Sequence, residues 1–246
     1  MKEGKFFGVG VGPGDPELIT VKAAKVLKTV DIISIPKAHE NKSSLALSIV
    51  KDVIVERNTP PEMLELVFPM INDKKELKEA WSENAQIIAE KVKTGKTIAF
   101  ITVGDPMLFS TFIYLFHRMK EEHPEVKLEI IPGVTSLTAC AAVSKIPLAE
   151  KKEVVAIIPS SADSNRILEI SKHADSLVLM KGAKRLKELV PVLKKFGFSK
   201  DSIITITRRC TMPEQCVIVG NMDDVKNWDI HEDYFSISII IKENKK

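Results

Sequence analysis

Gly8-Val-Gly-Val-Gly-Pro-Gly-Asp-Pro16 follows the first apolar run of the chain, and Val103-Gly-Asp-Pro-Met-Leu-Phe-Ser-Thr111 follows another. Each carries Gly-Asp-Pro where a buried strand should end and a helix begin. Glycine lets backbone approach a ligand or another chain segment closely, Asp caps a helix, and Pro fits a first helical turn. Two such turns at strand ends form two walls of one expected ligand site.

Outward from these loops, apolar runs alternate with helical patterns. Strands are predicted at 6–11, 31–35, 64–68, 98–101 and 128–131, with Pro36 ending the second. Helices are predicted from Pro16, over 44–50, over 74–94 and over 109–123. Leu77, Ala80, Trp81, Ala85, Ile88 and Val92 recur on one face of the third helix, and Gly95 suits its end. Further strands are predicted at 154–158, 177–180, 203–207, 216–219 and 235–241, and helices at 136–144, 166–173 and 186–196. This alternation predicts an α/β protein of two α/β domains, 1–125 and 126–246. The first should hold a mostly parallel sheet and the second a mixed one, because its last strands follow one another without long helices.

The bulk properties exclude several classes. The 246 residues are 44% hydrophobic and 28% charged, with a formal net charge of +3. That charge gives no nucleic-acid footprint. No apolar run approaches the ~18 residues of a membrane span, and no secretory pattern opens the chain. Cys140, Cys210 and Cys216 form no paired framework, so a reducing cytoplasmic location is expected. Cys210 and Cys216 have no nearby histidine pair, and His39, His117, His123, His173 and His231 are scattered, so no protein-bound metal is expected.

A dinucleotide-binding reading of the first loop fails. Counting G-x-G-x-x-G from Gly8 puts Pro13 at the last position, and counting from Gly10 puts Asp15 there. An acid at the helix start would repel a pyrophosphate. Gly95-Lys-Thr97 lacks the earlier glycine of a phosphate loop and precedes a strand. On residue types alone, Asp15 and Asp105 are either helix caps or ligand contacts. Thr135 and Ser136 could simply start a helix, and Met180 could be core.

The ordered set GxGPGDP, VGDPMLFST, IIPGVTS, LVLMKG and CTMPEQCV resembles the tetrapyrrole methyltransferase superfamily over essentially the whole chain. Ile35-Pro-Lys37, Ser43-Ser-Leu-Ala-Leu47, Phe68-Pro-Met70, the 100–111 stretch and Asp233-Tyr-Phe-Ser236 are most similar to the members acting at carbon 20 of precorrin-2 or cobalt-factor II. One departure is Phe109, where the family often has Tyr. Other superfamily members act on uroporphyrinogen III, later corrin intermediates, diphthine precursors or ribosomal RNA, and these are the alternative substrates.

The resemblance implies a homodimer with a ligand cleft between the domains, an S-adenosylmethionine cofactor and a small tetrapyrrole substrate, with no nucleic-acid or membrane partner. The implied cofactor residues are Pro13, Val103, Gly104, Asp105, Leu108, Thr135, Ser136, Met180 and Cys210. The implied substrate side comprises Gly14, Asp15, Ser110, Thr111 and Arg209. Lys37, Lys42 and Arg208 are further candidate partners for substrate carboxylates, His39 could contact substrate, and Asp105 is the candidate catalytic base.

Overall fold

The computed structural model describes residues 3–37, 44–69, 71, 73–159, 161–181, 183–230 and 233–242. The chain divides into two units, Met1–Thr135 and Ser136–Lys246.

The first unit has strands β1 (Lys5–Gly10), β2 (Ile32–Lys37), β3 (Glu62–Val67), β4 (Thr97–Thr102) and β5 (Leu128–Ile131). Its helices are α1 (Val21–Leu27), α2 (Leu45–Val55), α3 (Lys74–Lys93) and α4 (Phe112–Glu122). The strands form one sheet in the order β3-β2-β4-β1-β5, parallel throughout. Successive side chains go to opposite faces. Ile98 and Phe100 join Phe6 and Phe112 in one core, while Ala99 and Ile101 join Val9 and Ile33 in the other. Gly8 makes room for this packing: a Cβ there would lie 2.1 Å from the Phe112 ring.

Thr102 lies opposite Gly10, and Ile131 opposite Val9. The carboxyl ends of β4, β1 and β5 are therefore level. The loops leaving them share one edge, where ligands bind open α/β sheets.

The second unit has β6 (Val155–Pro159), β7 (Ser176–Met180), β8 (Ile203–Arg208), β9 (Cys216–Asn221) and β10 (Ser236–Ile241). Its helices are α5 (Ser136–Ser144), α6 (Ser164–Ser171) and α7 (Leu186–Leu193). The sheet order is β6-β7-β10-β8-β9; β6 and β7 are parallel and the other pairs antiparallel. The expected mixed sheet is present. Leu177, Leu179, Ile204, Ile206 and Ile240 pack with Leu186, Leu189 and Leu193 in its core. Helix α5 lies against β8, β9 and β10.

Four expectations need correction. The boundary expected between 125 and 126 falls ten residues later, because β5 pairs with β1 and so belongs to the first sheet. Pro36 does not end β2. The β2–β4 pairing stops at Ser34 while the β2–β3 pairing continues to Lys37, and a missing N–H is tolerated where one ladder has ended. The helix expected from Pro16 is instead a 3-10 turn over Pro16–Leu18; Ile19 is extended and Thr20 caps α1 by accepting from the Ala23 amide. Helix α4 starts at Phe112 rather than 109, since Phe109 has φ +50° and cannot join a right-handed helix.

Candidate functional site

The site of the first unit is built mainly from backbone. Beyond the ends of β1 and β4 the two loops continue to pair. Val11 N–H donates to Thr102 O at 2.9 Å and Gly104 N–H to Gly12 O at 2.7 Å, closing an antiparallel bridge between Gly12 and Gly104. Both glycines are left-handed, at φ +82° and +72°, which favours a residue without Cβ. The loop after β5 presses against the same bridge. A Cβ on Gly133 would sit 2.1 Å from Gly104 O, and one on Gly10 would sit 2.6 Å from it. Three loops thus meet backbone against backbone.

Asp105 ties this junction. Its Oδ2 accepts from Gly133 N–H at 3.0 Å and its Oδ1 from Met107 N–H at 2.8 Å. The expected helix cap is therefore not its role, because α4 begins seven residues later. Asp15, in the other Gly-Asp-Pro, does cap: its Oδ1 accepts from Glu17 N–H at 2.9 Å. Ser110 is buried, its hydroxyl 2.9 Å from Thr102 Oγ1 and accepting from Phe112 N–H at 3.2 Å. Thr111 precedes α4 and makes no side-chain cap. Val103, before the Asp105 anchor, is half-buried; between the Asp105 and Ser110 anchors Leu108 is half-buried and Phe109 is exposed. A left-handed aromatic residue costs about 1–2 kcal/mol. Pro13 is buried beside Gly12, and Gly14, Asp15 and Thr135 are half-buried.

The second unit brings another subset together. Ser136 opens α5, and Cys140 lies one turn later on the same face. The Cys140 and Cys210 thiols face one another: their hydrogen bond, with burial, pushes the Cys140 thiol up, while the same bond holds the Cys210 thiol down against the opposing effect of its burial. Cys210 is pinched between two left-handed residues, Arg209 at φ +48° and Thr211 at φ +62°. Met180 ends β7, half-buried, opposite Pro159 and Ile237.

The expected cations already have partners. Arg209 Nε donates to Asp233 Oδ2 at 3.1 Å, with Glu214 3.8 Å from Nη1. Lys37 pairs with Glu65 at 2.6 Å, and Arg208 Nη2 donates to Cys216 Sγ at 3.4 Å. His39 and Lys42 lie outside the described residues. Sequence reasoning missed Gly10, Thr102, Cys140 and Asp233. Gly133 entered only as part of the IIPGVTS stretch, although a glycine there was the available sign of close backbone approach.

The donor set suits a ligand that needs positioning without proton transfer: main-chain carbonyls and amides, with Val103 and Leu108 beside them. Backbone carbonyls offer partial negative charge to a sulfonium. S-adenosylmethionine therefore fits the residue types present. Among the described residues, no group of three His, Cys, Asp or Glu side chains could hold a metal.

Comparison with known proteins agrees with this reading. The chain is 40% identical over 236 residues to the "Probable cobalt-precorrin-2 C(20)-methyltransferase" of Methanocaldococcus jannaschii, covering 96% of this chain and 95% of that protein. It is also 40% identical over 214 residues to the cobalt-precorrin-2 C(20)-methyltransferase of Salmonella typhimurium, covering 87% of each. The crystal structure of a cobalt precorrin-4 methyltransferase shares the fold, with a TM-score of 0.75 at 21% identity, covering 96% of this chain and 94% of that one. The profile of the tetrapyrrole (corrin/porphyrin) methylases matches residues 5–226, a span that takes in both glycine-bridged loops and the Cys210 turn, and the chain belongs to that family.

Proposed function

We propose that this protein transfers a methyl group from S-adenosylmethionine to carbon 20 of cobalt-factor II in corrin-ring assembly. The observation that carries this is 40% identity, over 96% and 87% of the chain, to two relatives whose names give carbon-20 methylation of cobalt-precorrin-2, one of them as probable. Metal-free precorrin-2 is the second substrate to test. Cobalt would arrive with the substrate, and the reaction needs no resident metal. A cytoplasmic homodimer acting on a small molecule completes the reading.

When bound, the cofactor would supply an electrophilic methyl on a sulfonium, which a carbon nucleophile would take in line as the methyl–sulfur bond breaks and the neutral thioether leaves. The protein's task is then chiefly to hold two reactants in line, the kind of contribution positioning can make large. We assign Pro13, Val103, Gly104, Asp105, Leu108, Thr135, Ser136, Met180 and Cys210 to the cofactor, and Gly14, Asp15, Ser110, Thr111 and Arg209 to the substrate side. The Ser110 hydroxyl, bonded to Thr102 and Phe112, shapes the loop. Asp105 holds the Gly133 loop in register. It is also the candidate to accept the proton lost from carbon 20, and Asp105→Asn tests that role. A base predicts a large loss in kcat with cofactor binding kept. A purely positioning residue predicts weaker cofactor binding with kcat at saturating cofactor largely kept.

The deciding experiment incubates the protein with S-adenosylmethionine and either cobalt-factor II or precorrin-2, with mass spectrometry and carbon-13 NMR of the product. One added methyl at carbon 20 supports the reading, and the faster substrate assigns the metal state. Methylation elsewhere on the ring, or of neither substrate, overturns it.

A further inference from the structure

Phe109 is the one aromatic residue with a left-handed backbone among the described residues, at φ +50°. It is also 45% exposed, as is Met107 two residues earlier. The chain on both sides is fastened. Asp105 Oδ1 holds the Met107 amide, and the Ser110 hydroxyl is bonded to Thr102 Oγ1 and the Phe112 amide. Strain of this kind persists only where the surroundings over-determine it. Glycine would fit this conformation without strain, so what the position gains from phenylalanine is the ring. The ring does not serve the core: Phe6, Phe68, Phe100 and Phe112 pack there, while Phe109 remains outside. It stands instead on the loop leaving β4, at the sheet edge where Gly12 and Gly104 bridge. The first turn of α4 adds Tyr114, 48% exposed and stacked on Trp81 at 4.3 Å.

We propose that Phe109 is a specificity-determining residue whose ring lies against the broad conjugated face of the tetrapyrrole. This rests on the proposed function and adds a substrate contact to it. A rigid aromatic ring suits a wide π-face because offset stacking is sequence- and substituent-tolerant and little rotamer freedom is lost. The contact orients the macrocycle without offering a proton donor, so a hydroxyl-free ring is sufficient for it.

The test is steady-state methylation by Phe109→Gly, Phe109→Leu and Phe109→Tyr, using whichever of cobalt-factor II and precorrin-2 the wild type turns over. Glycine relieves the left-handed strain, so this variant should fold. Its substrate KM should rise about tenfold, with kcat within about threefold and the S-adenosylmethionine dissociation constant unchanged. Leu should fall between the two, and Tyr, which keeps the ring, should match the wild type. An unchanged substrate KM in Phe109→Gly overturns the inference. So does an equal weakening of cofactor binding, which would mark a loop-shaping residue, or a change of oligomeric state with KM intact, which would mark an interface. A wild type that methylates neither tetrapyrrole overturns the underlying function instead, and the two failures are distinguished by that control.

Discussion

Asp15 and Asp105, in the same Gly-Asp-Pro tripeptide, each accept from an amide two positions on, but Asp105 also reaches one 28 positions away. The first closes a local turn at the start of a 3-10 segment. The second joins the loop after β4 to the loop after β5. Their surroundings explain the difference. After Gly14 the chain turns directly into Pro16–Leu18, so the carboxylate finds the next amides of its own turn. After Gly104 the chain does not become helical until Phe112, and the Gly133 backbone, lacking a Cβ, comes close enough to donate. A short motif fixes the chemistry that is available, and the neighbouring strand decides where that chemistry is directed.

Substitutions can break this contrast in order of effect. Gly133→Ala should be the most damaging, costing about 3 kcal/mol, because its Cβ would meet backbone rather than a flexible side chain. Urea denaturation reads it, and a variant as stable as wild type would refute the three-loop junction. Asp105→Ala should cost about 2 kcal/mol and weaken S-adenosylmethionine binding at least tenfold by calorimetry. Asp15→Ala should cost about 1 kcal/mol, the worth of an ordinary cap, with cofactor affinity retained. Equal losses at the two aspartates would abolish the distinction. Arg209→Ala should leave stability within about 0.5 kcal/mol, since a half-exposed ion pair contributes little. Its substrate dissociation constant should nevertheless rise more than that for S-adenosylmethionine, and an unaffected substrate would remove Arg209 from the substrate side.

The alternation of apolar runs and helical faces made the two α/β units and the mixed second sheet legible in the sequence. So was the stripe from Leu77 to Val92: Ala85, Ile88 and Val92 are buried. The strand at 128–131 was also visible, but its sheet was not. Leu128-Glu-Ile-Ile131 could pair with either unit on hydrophobicity alone, and only the β1 register settles it. Pro36 misled because a proline's tolerance depends on which neighbouring ladder has already ended. The helix read from Pro16 is divided, because Ile19 is extended and Thr20 caps a new helix. At the site, the glycine loops were readable as close-approach points. Their mutual hydrogen bonds were not, since pairing partners 92 positions apart, Gly12 and Gly104, leave no local trace.

The Gly12–Gly104 bridge also gives these loops an unusual expected exchange behaviour. The Gly104 amide lies outside every strand, yet its hydrogen is held by Gly12 O at 2.7 Å with both residues buried. In deuterium it should exchange on the timescale of the central strands rather than of a surface loop, because releasing it requires β1 and β4 to separate at their ends. On a protection map, the sheet would reach one residue pair beyond its last strand.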